Sequence, residues 1–165
     1  MGGYGCGFRS GGRRTTVEEC PTLSIQHFRD RFHAGSSGTL SWTSQGEPVL
    51  EVKWSVQWPS HTPKIALEYL ALGREPVRIL VTLQTTPSDF GGVRQWFQCP
   101  LAVNGSPCNR RVGRLYLPPG TQLFGCRECH RLSYRSSQEA HRDQRLFGGM
   151  GFSTETAQLL AATWK

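Results

Sequence analysis

Cys99-Pro100-Leu101-Ala102-Val103-Asn104-Gly105-Ser106-Pro107-Cys108, answered by Cys126-Arg127-Glu128-Cys129, is the stretch around which the chain is organised. Four thiols in two groups, the second a tight C-x-x-C, form a tetrahedral zinc pattern. A C-x-x-C places two sulfurs on one short turn, which suits Zn–S bonds of about 2.3 Å. The first pair is wider than usual, with eight residues between its cysteines. Its centre, Asn104-Gly105-Ser106-Pro107, is made of turn formers, so the loop can fold back and bring Cys108 to Cys99. The pattern reads as a zinc ribbon with Cys99, Cys108, Cys126 and Cys129 as ligands of a structural Zn2+. Four protein thiolates leave no open position for an activated water, so the metal is expected to be scaffolding. His130, next to the last cysteine, is expected at the surface or behind a ligand, because adjacent residues rarely bind one metal.

Outward from this stretch the charge is uneven. Residues 94–145 hold nine Arg against three acids, whereas residues 21–93 hold six basic and six acidic side chains. Of the 19 basic residues 16 are Arg, the residue that grips phosphate with two donors and stacks on bases. The net charge of +7 therefore gathers around the cysteines, and points to nucleic acid or an acidic partner. The candidate contacts are Arg94, Arg110, Arg111, Arg114, Arg127, Arg131, Arg135, Arg142 and Arg145, joined by Arg9, Arg13 and Arg14 of the N-terminal arm.

Hydrophobic residues make up 37% of the 165, with 19 Gly and 10 Pro, so a modest core is expected and a metal staple becomes more valuable. The start of the chain has no apolar segment of the kind a secretory leader carries, and no run is long enough to span a membrane. A reducing cytoplasm is the expected setting, where such cysteines bind metal rather than oxidise.

Four units are expected. Residues 1–16 form a flexible Gly/Arg arm too poor in apolar side chains to fold alone. Whether it orders on nucleic acid through Arg9, Arg13 and Arg14 or is a plain tail stays open. Residues 17–90 form a small antiparallel β domain with an N-terminal helix. Leu23, Ile25, Phe28 and Phe32 are near helical spacing over 17–33, with Thr22 or Ser24 as cap, and Cys20 reads as a buried small hydrophobe. Strands follow at 39–43, 49–58 and 77–86, with 65–72 leaning the same way by its alternation. The alternating Trp residues read as packing. Residues 91–134 are the ribbon, with strands at 94–99, 112–117 and 121–125. Residues 135–165 hold two C-terminal helices, the first charged and opened by Ser136 with Glu139 as a capping box. The expected fold class is α+β and β-rich.

Gly91-Gly92-Val93-Arg94-Gln95-Trp96-Phe97-Gln98-Cys99-Pro100-Leu101, Cys108-Asn109-Arg110-Arg111-Val112, Leu115-Tyr116-Leu117-Pro118-Pro119-Gly120 and Phe124-Gly125-Cys126-Arg127-Glu128-Cys129, with Tyr134, Ser136, Gln138 and Glu139 beyond, also form a recognisable whole. The chain resembles a family of largely uncharacterised bacterial zinc-ribbon proteins associated with phages and mobile elements, and the resemblance extends to the N-terminal arm and residues 16–20. It implies a mobile-DNA setting and no particular activity. The family's cysteine in a Pro-Cys-His-Phe-like stretch is missing here, where Pro87 is followed by Ser88-Asp89.

The functional expectation is a zinc-ribbon accessory protein that binds nucleic acid, DNA or RNA, through an arginine face. The alternative is a protein-interaction module, an adaptor or inhibitor acting on a host defence or transcription complex. Catalysis is not expected: Asp89, Glu128 and Glu139 are scattered, and no nucleophile–base arrangement is legible.

Overall fold

The structure is a computed structural model, and it describes residues 14–139 other than 30, 45, 60, 61, 72–74 and 90. Ten strands follow in order: β1 (Thr22–Ser24), β2 (Ser37–Ser44), β3 (Glu47–Gln57), β4 (Lys64–Ala71), β5 (Glu75–Pro87), β6 (Val93–Gln98), β7 (Ala102–Val103), β8 (Ser106–Pro107), β9 (Arg111–Val112) and β10 (Arg114–Tyr116). Six of them form one curled antiparallel sheet in the order β2-β3-β4-β5-β6-β9, while β1 pairs with β10 and β7 with β8.

The sheet exists because its strands alternate. Val52, Trp54 and Val56 of β3, Ile65, Leu67 and Tyr69 of β4, Val81 and Leu83 of β5 and Phe97 of β6 all turn to one face and are buried. Such period-two burial lets an antiparallel sheet keep one face dry and one wet. Trp58, one residue past the end of β3, continues the alternation in sequence but is exposed. Gly38 is needed for the packing of Trp54, since a Cβ there would lie 2.9 Å from the indole ring.

The dry face is covered by irregular chain rather than by a helix. Phe28 is completely buried and meets the rings of Trp54 and Phe97 edge-on, at centroid distances of 5.0 and 6.0 Å. Phe124, equally buried, meets Tyr69 edge-on at 5.3 Å. Leu23, Leu115 and Leu117 complete the core. A smaller cluster of Cys20, Tyr116 and Leu132, with Val17 against it, ties the first described residues to the last.

The α+β expectation is therefore corrected: the protein is mostly β. The apolar spacing of residues 17–33 does not make a helix. It makes two short 3-10 turns, Val17–Glu19 and Ile25–Phe28, on either side of β1. Pairing decides the matter, because Thr22, Leu23 and Ser24 lie opposite Tyr116, Leu115 and Arg114. With Pro21 before it and β-branched residues in it, the segment has little helical propensity to set against that ladder. Ser24 does cap the second turn, its Oγ accepting from the Gln26 N–H at 3.3 Å.

Two strands of the expected ribbon are also redrawn. Residues 112–117 are not one strand: the chain breaks at Gly113, leaving β9 on the large sheet and β10 on β1. Residues 121–125 are a loop rather than a strand; its ladder contact is the bridge between Gly125 and Tyr116, while Phe124 packs on the sheet and the Gln122 carbonyl accepts from the Tyr69 hydroxyl. At the C-terminal side a helical turn occupies 135–139, starting one residue before Ser136, so Ser136 lies inside it rather than capping it. No charged C-terminal helix stands in the described fold; the rest of that expected helix, with Arg142 and Arg145, and the helix expected at 154–164 lie outside the described residues. So do Arg9 and Arg13 of the arm. Among the described residues no helix is long and apolar enough to cross a membrane.

Candidate metal centre and an arginine groove on the same strand

β6 runs towards the cysteines because Phe97 is anchored in the core, and its next odd residue, Cys99, follows the same inward direction and is buried. The Cys99 N–H donates to the Arg110 carbonyl at 2.9 Å, continuing the β6–β9 ladder past the end of the strand. The wide loop folds back as a two-residue-per-arm hairpin, β7 against β8, about Asn104 and Gly105. Both turn residues have positive φ, 52° and 78°, the twist a tight hairpin needs. The Cys108 N–H then closes the loop on the Leu101 carbonyl at 2.8 Å.

From the other side, Tyr116 and Gly125 exchange backbone bonds of 2.8 and 3.0 Å and set Cys126 against the end of β6. A Cβ at Gly125 would lie 2.1 Å from Leu101 Cδ1 and 2.8 Å from His130 Nε2, so only glycine lets the two cysteine loops meet. The 127–132 segment is a run of turns in which the His130 N–H donates to the Cys126 carbonyl at 3.2 Å and the Leu132 N–H to the Arg127 carbonyl at 3.0 Å.

The Sγ atoms of Cys99, Cys108, Cys126 and Cys129 all lie within 4.8 Å of one another, so the four could hold a metal ion. Two of the separations, Cys99 to Cys129 and Cys108 to Cys126, are 3.9 Å. Four sulfurs at about 2.3 Å from a tetrahedral centre would stand about 3.8 Å apart, so the cage has a fitting size. Backbone N–H groups already aim at the sulfurs: Cys126 N–H at Cys99 Sγ, 3.3 Å, and Cys129 N–H at Cys126 Sγ, 3.4 Å. Burial pushes the Cys99 thiol up to about 11 and Cys129 upward as well. Burial acts the same way on Cys108, but hydrogen bonds from the Arg110 backbone and the neighbouring thiols outweigh it and lower that group. Four thiolates crowded this closely repel one another, and a divalent cation is what would make them ionise together. Arg110 stands beside them, and the Cys126 sulfur above all raises its guanidinium further above the usual range.

The candidate arginines divide. Arg110 faces the thiols. Arg127 pairs with the Glu128 carboxylate and lies over the Tyr134 ring at 5.3 Å. Arg14, Arg111, Arg131 and Arg135 are exposed, and the Arg135 N–H reaches the Glu18 carboxylate at 3.2 Å. Arg94 and Arg114, by contrast, come together in a groove of about 680 Å³ between β6 and residues 24–29. Arg29 lines it too, and no carboxylate is among its described lining residues. Arg94 spreads over the Trp96 ring at 4.4 Å, and Trp96 is fixed by its Nε1–H donating to Thr86 Oγ1 at 2.9 Å. The opposite wall is pinned by the Ile25 N–H on the Gly113 carbonyl, 2.9 Å. Arg29 and Trp96 were not among the contacts expected from sequence. Arg29 sits in a segment read as helix, far along the chain from the basic stretch; a signal for Trp96 did exist, in its i+2 spacing from Arg94 on one strand face.

His130 does not join the thiols as a fifth donor. Its half-buried ring instead packs against Gly125, in the place the Cβ of any other residue would need. No protein-family model, curated protein or solved structure matches the chain.

Proposed function

We propose that this is a nucleic-acid-binding protein whose arginine groove is held in shape by a structural zinc ion. Zinc is favoured by an all-sulfur donor set at tetrahedral spacing, a set it shares chiefly with iron. One observation carries the binding half: Arg29, Arg94 and Arg114 line one groove, with Arg94 over the Trp96 ring and no described carboxylate among the lining residues to neutralise them. Three guanidiniums with no carboxylate among the described lining residues make a site for an anion of several charges, and the Arg94–Trp96 pair suits an aromatic base. The remaining exposed arginines, Arg111, Arg131 and Arg135, would extend the contact along a phosphate backbone. The mobile-element and cytoplasmic setting of this reading has the sequence pattern as its support.

Metal analysis of protein purified without added metal should give one zinc per chain and no visible iron absorption. Binding of a labelled oligonucleotide should weaken with salt. The slope of log affinity against log salt should be about −2 if the three groove arginines act alone on a single strand, and steeper as others join. A slope near zero would overturn the proposal.

A further inference from the structure

We infer that the groove takes a single strand of nucleic acid with its bases unpaired, an inference that rests on the nucleic-acid reading above and specifies its ligand. The carrying feature is an open piece of strand edge. β6 pairs with β5 from Val93 to Phe97, but on its other side β9 covers only Phe97 and Gln98. The bond from the Cys99 N–H to the Arg110 carbonyl fixes which residues face that side, because backbone groups alternate along a strand. Val93 and Gln95 therefore turn their N–H and C=O groups to the groove side, where no strand among the described residues pairs with them.

These groups, Arg94 and the two other arginines present three kinds of contact at once. The edge of β6 offers donors and acceptors at fixed spacing. Arg94 is exposed, and its guanidinium carbon lies over the Trp96 ring, 4.4 Å from the centroid. Arg29 and Arg114 supply charge from the facing side. An unpaired nucleotide uses all three: its hydrogen-bonding edge on β6, its π-face on Arg94, its phosphates on Arg29 and Arg114. A duplex has its Watson–Crick edges paired and its base faces stacked, so it offers Arg94 no free π-face and relies mainly on charge. Adding a peptide strand to the edge fits less well. Only two residues turn outward before β9 takes over, too short a ladder for the strand addition that other sheet edges support.

The test uses the full metal-loaded chain and fluorescein-labelled 12-mers of one mixed sequence, as single-stranded DNA, single-stranded RNA and duplex DNA, at one salt concentration. At least one single strand should bind about tenfold or more tighter than the duplex. Arg94→Lys keeps the charge and removes the stacking plane, so it should cost single-strand affinity about tenfold and leave duplex affinity nearly unchanged. Trp96→Phe should cost less, and metal content will report that both variants are folded. Equal affinity for duplex and single strands would overturn this inference while leaving nucleic-acid binding standing. No binding of any oligonucleotide would overturn both. Displacement of the single strand by equimolar poly-glutamate would show that charge alone is read, and would also overturn it.

Discussion

The two ends of β6 do opposite things. At its C-terminal end β9 covers the strand edge, the chain turns inward, and Cys99 joins three other thiols in a closed cage. At its N-terminal end the edge is open and Arg94, Arg29 and Arg114 line the groove beside it, with no carboxylate among the described lining residues. The closed end has its donors turned on one another, so it holds the fold; the open end has donors to spare, so it can hold something else. The difference arises from where β9 stops. Gly113 takes the chain off the sheet after two residues, and Arg114 then leads into β10 against β1. The wall of the groove is thus an extension of the loop that the cysteines close.

If that division is right, damage to the closed end should destroy both ends, and damage to the open end should spare the fold. The largest effect is expected from Cys126→Ala or from stripping the metal with a chelator. Either should cost more than about 4 kcal/mol of stability and abolish oligonucleotide binding together with it, as seen by thermal melting and anisotropy on the same sample. Binding that survives complete loss of metal would break the comparison. Gly125→Ala is next. The added methyl must displace Leu101 or His130 at the junction of the two cysteine loops, for about 1–3 kcal/mol, with a measurable loss of metal affinity.

Tyr69→Phe probes the same junction from the sheet side. The Tyr69 hydroxyl donates to the Gln122 carbonyl at 2.8 Å, and burial raises its pKa to about 12. A raised acid pKa means the folded state holds its proton more tightly than the unfolded chain does. This stabilisation is complete below pH 10 and fades as pH rises through 12. The variant should lose about 1 kcal/mol at neutral pH and show a flatter alkaline unfolding profile than the parent. The smallest effect on stability is expected from Arg114→Ala. This substitution should move the melting free energy by less than about 0.5 kcal/mol, yet weaken oligonucleotide binding and reduce the salt slope by about 0.7. A large destabilisation there would mean that the open end is structural after all.

The parts legible in sequence were those whose physics is local. Cysteine spacing announces its own geometry, and Asn104-Gly105 announces a turn, because both depend on neighbours along the chain. The strands β3 and β5 showed themselves through alternation for the same reason. What stayed hidden depended on distant pairing. Leu23, Ile25 and Phe28 have the spacing of a helix face, but their conformation is set by Arg114–Tyr116, a partner nothing in the segment itself indicates. Residues 112–117 read as one strand because Gly113 looks harmless in a β-rich run; its role as a break is visible only when two different strands claim its two sides. Arg29 joined the groove through the same long-range pairing. The thiol cluster was therefore readable residue by residue, while the arginine groove needed the fold.

Residues near the start of the described fold are secured by residues near its end. Thr16 bridges in parallel to Ser133, with the Val17 N–H on the Ser133 carbonyl at 3.0 Å and the Ser133 N–H on the Thr15 carbonyl at 3.1 Å. Gln138 Nε2 adds a bond to the Arg14 carbonyl at 2.5 Å. During synthesis residues 15–17 emerge more than a hundred residues before the segment that secures them. That segment is itself positioned by the turns following Cys129. The clasp between residues 14–17 and 133–138 is therefore a contact that can form only after the cysteine loops have been synthesised. By the same token, loosening this clasp with Gln138→Ala should leave the large sheet and the thiol cluster intact while raising hydrogen exchange at the Val17 and Ser133 amides.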